Sequence, residues 1–348
     1  MKFSRFFFLT LSLAASLCLE GKTPVDVPFS EVPGVSVGNA SDDSAKTGVT
    51  VFFFPEPAYA GVTVLGGGPA SRETEIIGTE RNVHTINALV FAGGSSFGLE
   101  ASHGVMEVLE KRGIGYDTGA AIVPIVCQSD IYDLTYGSST VRPDKKMGAE
   151  ACLDALEGNH PISGNAGAGV GATIGKPCGM ARACKSGIGY AAAKLGNLYV
   201  GAAAVVNAYG DVYSGGKKIG GMTDETRKGW ADASDAMYRM QPEDLLVGSD
   251  KQNTTLVVVF TNADLLTADL KKVANMASAG LARCIRPVFT MSDGDTVYAV
   301  STGSGKVDAA NVSIVGALAA DVVESAIRDA VLSGRVSEKE YLGNIRHQ

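Results

Sequence analysis

Apolar residues fall along the chain in short unbroken runs, set between glycine-rich and polar segments. Residues 48–54 (GVTVFFF), 60–65, 88–92 (ALVFA) and 296–301 have the length and the β-branched or aromatic content of buried strands. Residues 187–213 read as paired strands, with 198–206 almost wholly apolar. The strongest run is 253–260 (NTTLVVVF), whose lack of alternation predicts a strand covered on both faces. Other stretches follow helical spacing. In 98–112, Leu99, Val105, Val108 and Leu109 lie near one face, Glu100 sits in the first turn, Lys111 and Arg112 in the last, and Gly113 is the stop. Residues 267–284 predict a helix capped by Thr267 and ended by Arg286-Pro287, and 309–332 a last amphipathic helix. A short helix is expected within the polar segment 141–157, and a loop with a short helix in 215–249. The GGGP run at 66–69 must turn, and 163–175 is extremely glycine-rich. With no internal repeat and no clear linker, the pattern favours one large α/β domain.

Composition narrows this. A 348-residue chain that is 45% hydrophobic and 19% charged has ample material for a core and is not disordered. The formal net charge of -7, without any Lys/Arg cluster, argues against nucleic-acid binding. The 43 glycines are too many for a helical bundle. Four histidines without ligand spacing and six cysteines without a CxxC pair make a zinc centre or a dithiol redox site unexpected.

The N-terminus has the form of an export signal: Lys2 and Arg5, then an apolar stretch at 6–19 that contains small residues for cleavage at Ala14-Ala15-Ser16. The expectation is a leader over 1–20 and an exported, periplasmic or extracellular mature chain that is not membrane-bound. Cys178 and Cys184 are near enough in sequence to pair in an oxidising compartment, although spacing alone does not establish it.

Four segments carry candidate chemistry. Gly94-Ser95-Ser96-Phe97-Gly98 fits GxSxG between an apolar strand and a helix, the context of a nucleophile elbow with Ser96 as nucleophile. Against it, His103 lies only two turns along the same helix, His160 is in a polar loop and His347 is penultimate; a Gly/Ser turn opening a helix is the plainer reading. Gly167, Gly169 and Ala172 fit GxGxxA, but a turn and not a strand precedes them, so a close-approach glycine loop is favoured, with Lys176 at its end as a site cation. Thr254 heads the strongest strand. Cut before Thr254, the chain would present a hydroxyl and a free α-amine on one residue, and an amine with a pKa of about 7.7–8 can serve as base without any histidine. Ser292-Asp293-Gly294-Asp295 is a turn whose two carboxylates would repel, or beside an ammonium would stay ionised and orient it.

Taken in order, several segments resemble the self-cleaving aminopeptidases of the DmpA type, a family that includes β-peptidyl aminopeptidases and nylon-oligomer hydrolases. They are TGVTV at 47–51, GGPASRET at 67–74, GGSSFGL at 93–99, GAGVGA at 167–172, VNAYGD at 206–211 and NTT at 253–255. The resemblance runs from about Val35 to about Gly303. It implies a four-layer αββα sandwich of the N-terminal-nucleophile type, self-cleaved into 21–253 and 254–348. By position it implies Thr254 as nucleophile, Asn253 as the residue before the cut and Asn207 as amide donor to the oxyanion. Lys176 and Tyr132 would line the site, with Tyr136 the alternative to Tyr132, and Asp293 and Asp295 would hold an amine. The Asn-Thr pair and two acids look more like the nylon-oligomer hydrolase branch. Gly38-Asn39 departs from the Gly-His frequent in the family. The resemblance further implies small amino-terminated amide substrates, no cofactor, and a homo-oligomer of tetramer size or larger.

Overall fold

The computed structural model describes residues 23–240, 253–303, 307 and 311–346. The expected leader, Cys18, His347, the start of the predicted helix 309–332 and the end of the 215–249 segment lie outside the described residues. The principal elements are β1 (Ser36–Asp42), β2 (Thr47–Val64), β3 (Thr85–Ala92), α1 (Ala101–Lys111), β4 (Val126–Asp130), α2 (Lys145–Glu157), β5 (Ile188–Leu195) and β6 (Leu198–Asn207). They continue with β7 (Thr254–Thr261), α3 (Thr267–Cys284), β8 (Thr296–Ser301), α4 (Val312–Ser333) and α5 (Glu338–Asn344). Strand order is β5-β6-β7-β8-β2-β3-β4, with β1 also paired to β2. The β7–β8 and β3–β4 pairs are parallel and the other pairs among these strands antiparallel.

Alternation along the strands sorts the apolar residues into three stacked cores. From β7, Val257 and Val259 face α3 and α4, while Leu256, Val258 and Phe260 face inward. From the first half of β2, Phe52 and Phe54 join that central core, while Val49, Val51 and Phe53 face α1 and α2. Three cores separate four layers, helices outside and strands inside, which is the expected αββα sandwich. The central core is aromatic: Phe52 meets Phe91 edge to face at 5.4 Å, and Phe29 meets Phe260 at 5.6 Å. Outside it, α1 and α2 touch backbone to backbone. A Cβ on Gly104 or Gly148 would strike the Lys145 or Ala101 carbonyl, at 1.8 and 2.0 Å.

Three expectations need correction. The runs 48–54 and 60–65 are one strand, β2, which carries its exposed Pro55-Glu56-Pro57 through a register shift between Phe53 and Ala58. This bend lets one strand serve both inner layers, its first half pairing with β3 and its second with β8. Only the start of the predicted helix 98–112 differs: Ser95–Glu100 form a 3₁₀ turn, and α1 runs from Ala101 to Lys111. Thr267 is the first residue of α3 and not its cap; Leu266 holds the cap position and makes no side-chain cap bond.

Candidate active site

Thr254 opens β7 and pairs across the ladder with Asn207, the last residue of β6. Thr254 keeps the parity of Leu256 and Val258, and Asn207 that of Val205 and Ala203, so both side chains point into the gap between the strand layers. Both are buried, as are Asn253, Lys176, Asp293 and Asp295. The strand ends therefore bring five of the six expected site side chains, and the residue before the expected cut, into one water-poor place.

The backbone just before Thr254 is held firmly. Asn253 bridges in parallel to Asp293. Its carbonyl oxygen accepts a hydrogen bond from the Gly294 N–H at 2.8 Å and another from the Thr254 hydroxyl. Position 294 must be glycine, because a Cβ there would lie 2.7 Å from both the Gly68 carbonyl oxygen and Thr254 Oγ1. The predicted GGGP turn is a clamp on this acidic turn. The N–H groups of Leu65, Gly66, Gly67 and Gly68 donate to the carbonyls of Asp295, Asp295, Thr290 and Asp293 at 2.9–3.2 Å.

The two acids are differently engaged. Asp293 Oδ1 accepts from the Tyr209 N–H (3.1 Å), and Oδ2 from the Thr290 N–H (3.1 Å) and hydroxyl (2.5 Å). Asp295 accepts from the N–H groups of Thr255 (2.6 Å) and Phe289 (3.0 Å). Burial, then the neighbouring Asp293 charge, pushes Asp295 up to about 8. Burial also raises Asp293, opposed by the Thr290 hydroxyl, the Tyr209 and Thr290 N–H groups and the Lys176 ammonium. The Thr254 nitrogen, a peptide amide, is not among these donors.

Lys176 arrives from the glycine loop, where Gly175 and Lys176 donate their N–H groups to the carbonyls of Gly210 and Tyr209. Its Nζ donates to Asn207 Oδ1 (2.8 Å) and to the Asn207 carbonyl (3.0 Å). Burial brings its pKa down to about 7, against the pull of Asp293, Asp133 and Asp295. Asn207 Oδ1 also accepts from the Thr173 N–H at 3.0 Å, so its Nδ2 faces the other way and donates to the Tyr132 carbonyl at 3.0 Å. Tyr132 thus meets Asn207 through backbone, while its half-buried phenol is raised by burial and by Asp133. Tyr136 stands apart, stacked on Tyr341 at 5.6 Å beside α5.

The residues that motif reading overlooked act mainly through backbone: Gly294, Tyr209 and Thr173, together with Thr290. A further one, Asp133, is buried, accepts from Thr47 Oγ1 and the Gly94 N–H (both 2.7 Å), and is raised to about 6 by burial. Its signal was its place beside Tyr132.

The rival motifs do not assemble. Ser96 is exposed in a turn where Gly94 and Ser95 have φ of 82° and 55°. His103 is exposed, His160 pairs with Asp154, and the buried His84 Nδ1 has no hydrogen-bond partner, so no described histidine is bonded to Ser96. The GxGxxA run is a 3₁₀ turn at Gly167–Gly169 and no strand leads into it. Cys178 and Cys184 are both free thiols. Among the described residues no acid, Cys and His group could hold a metal ion, and no helix is long and apolar enough to cross a membrane.

Comparison with known proteins bears on this geometry. The model of peptidase family S58 matches residues 29–340. An uncharacterised aminopeptidase of Mycobacterium leprae is 34% identical over 338 residues, covering 88% of this chain and 90% of that one. The 6-aminohexanoate-oligomer endohydrolase of Kocuria sp. is 32% identical over 315 residues, covering 86% and 84%. Among solved structures, the L-aminopeptidase D-Ala-esterase/amidase from Ochrobactrum anthropi, described as a variant of the Ntn-hydrolase fold, aligns with a TM-score of 0.65 and 20% identity over 93% of this chain and 97% of that one. A Burkholderia sp. β-aminopeptidase aligns at 0.62 with 22% identity, covering 92% and 94%.

Proposed function

The chain belongs to peptidase family S58 and is a hydrolase acting on amide bonds; from that premise we propose that it is self-processing, cutting itself between Asn253 and Thr254 and using the freed Thr254 as nucleophile. The observation that carries this reading is the grip on the Asn253 carbonyl: the Gly294 N–H lies 2.8 Å from its oxygen, with the Thr254 hydroxyl on the same atom. That donor polarises the carbonyl carbon, and the hydroxyl that would attack is its covalent neighbour.

The first act is an N-to-O acyl shift. Thr254 Oγ1 adds to the Asn253 carbonyl carbon, the C–N bond breaks, its nitrogen leaves as the Thr254 amine, and water hydrolyses the resulting ester. In the second act that amine, with an ordinary pKa of about 7.7–8, takes the hydroxyl proton as Oγ1 attacks an external amide. Asn207 stabilises the tetrahedral oxyanion through Nδ2, and the amide is held in that sense by Thr173, Lys176 and Tyr132. Asp293 and Asp295 orient the Thr254 amine or take a substrate ammonium, with Lys176 balancing their charge. Substrates are small amides with a free amino end: short peptides, amino-acid amides, β-peptides or 6-aminohexanoate oligomers. No cofactor enters either act. The mature enzyme is exported, and cut protomers assemble as tetramers or larger homo-oligomers.

Paired variants test the reading. Thr254→Ala is expected to remain one chain and to release no product from amino-acid nitroanilides or aminohexanoate oligomers. Ser96→Ala is expected to cut itself and keep its activity. An inactive Ser96→Ala alongside an active Thr254→Ala would transfer the chemistry to the GxSxG turn.

A further inference from the structure

A cavity of about 240 Å³ opens between the Cys184–Lys185 strand, the end of α4 and the start of α5. Three cations line it: Lys185, Arg227 and Arg335. The one acid in the lining, Glu338, is 3.3 Å from Arg227. Arg335 donates to the Ile219 carbonyl at 2.7 Å, and among the described residues no carboxylate lies within ion-pair distance of it. Lys185 is only 5% exposed, and its Nζ hydrogen-bonds to the carbonyls of Gly169 and Ser186, with no carboxylate at contact distance among the described residues. A buried ammonium satisfied only by two neutral carbonyls and the face of the Tyr136 ring, 5.6 Å away, is costly, and it gains strongly from an anion. Burial, then the Lys46 charge, brings its pKa down to about 7, against the pull of Asp133 and Glu340 from farther off, and a bound anion would hold it charged.

The rest of the wall is mainly apolar, with Ile219, Val331 and Val336 beside two aromatic rings. Trp230, half exposed, lines it with the Lys218 ammonium over its ring at 5.2 Å, and Tyr341 carries the Arg227 guanidinium over its ring, also at 5.2 Å. The volume falls below the range of about 300–1,000 Å³ typical of drug-sized ligands, so the fit is to something smaller.

We propose that this cavity is a binding site for a compact carboxylate with a flat apolar body, its carboxylate between Lys185 and Arg335 and its body against Trp230. The site does not involve Thr254 or the acids beside it. A carboxylate is also what amide hydrolysis releases, so molecules of this class would be present wherever the enzyme works.

Trp230 is the only tryptophan in the chain, which makes its fluorescence a reporter of this one cavity. The probe is phenylacetate, titrated into the full-length protein with excitation at the red edge of the indole band. Neutral phenylacetamide is the control. A saturable change is expected with phenylacetate and none with phenylacetamide. Arg335→Gln removes a charge-assisted contact on an exposed side chain and should weaken phenylacetate by about tenfold. Thr254→Ala should bind as the wild type does, which separates this site from the proposed active centre. Absence of saturation, an equal response to the amide, or an Arg335→Gln variant that binds like wild type would each overturn the proposal. So would loss of binding in Thr254→Ala.

Discussion

At the scale of single residues, the most informative side chain after Thr254 is Thr290. It gives two of the three hydrogen bonds that favour an ionised Asp293 in a place where burial favours the neutral acid. A hydrogen bond to a charged group is worth about 1.5–3 kcal/mol, so losing the hydroxyl should raise Asp293 further. Since the proposed chemistry needs Asp293 ionised, its acid limb should move to higher pH in Thr290→Val and return in Thr290→Ser. Rate profiles against pH on an aminohexanoate oligomer check this; an unmoved limb would deny Asp293 that part. Thr290 also marks where motif reading stops. Thr254, Lys176 and the two acids carry chemistry that can be read in the chain, and Asn207 follows from the family resemblance. Gly294 and Tyr209 contribute N–H groups, which every residue but proline has, so only the fold distinguishes them.

At the scale of elements, the legible parts are those whose environment is uniform along their length. β7 is covered on both faces, so its run from Thr254 is unbroken and its start is visible in the chain. β8 matches its apolar run end to end. β2 was not legible as one strand, because Pro55 and Pro57 interrupt the apolar pattern at the exposed bend where it passes between layers. α5 escaped because seven residues with only Tyr341 buried give no periodicity, and its anchor is tertiary: Tyr341 on Tyr136. The central core is where the two strand layers depend on each other. Phe52 touches both Phe91 of β3 and Phe260 of β7. Phe52→Ala should cost about 3–5 kcal/mol, measured by denaturant unfolding on a Thr254→Ala background so that the chain stays whole. A loss below about 1 kcal/mol would mean that the layers are not packed through this residue.

At the scale of the whole molecule, the proposed cut severs the chain without opening the fold. β7 and β8 lie side by side in the C-terminal piece, and they are flanked by β6 and β2 of the larger piece. The piece beginning at Thr254 therefore supplies the middle of the sheet and, with α3 and α4, most of one outer layer. The two pieces should co-elute in size-exclusion chromatography at neutral pH and part only in denaturant. Separation under native conditions would contradict this interlocked arrangement. The most direct test of the central claim is the intact mass of freshly purified wild-type protein followed over time, with N-terminal sequencing of whatever appears. The account predicts two masses growing at the expense of one, the smaller chain reading Thr-Thr-Leu-Val from its first residue. A wild-type chain that stays at full mass while hydrolysing its amides at full rate would contradict it.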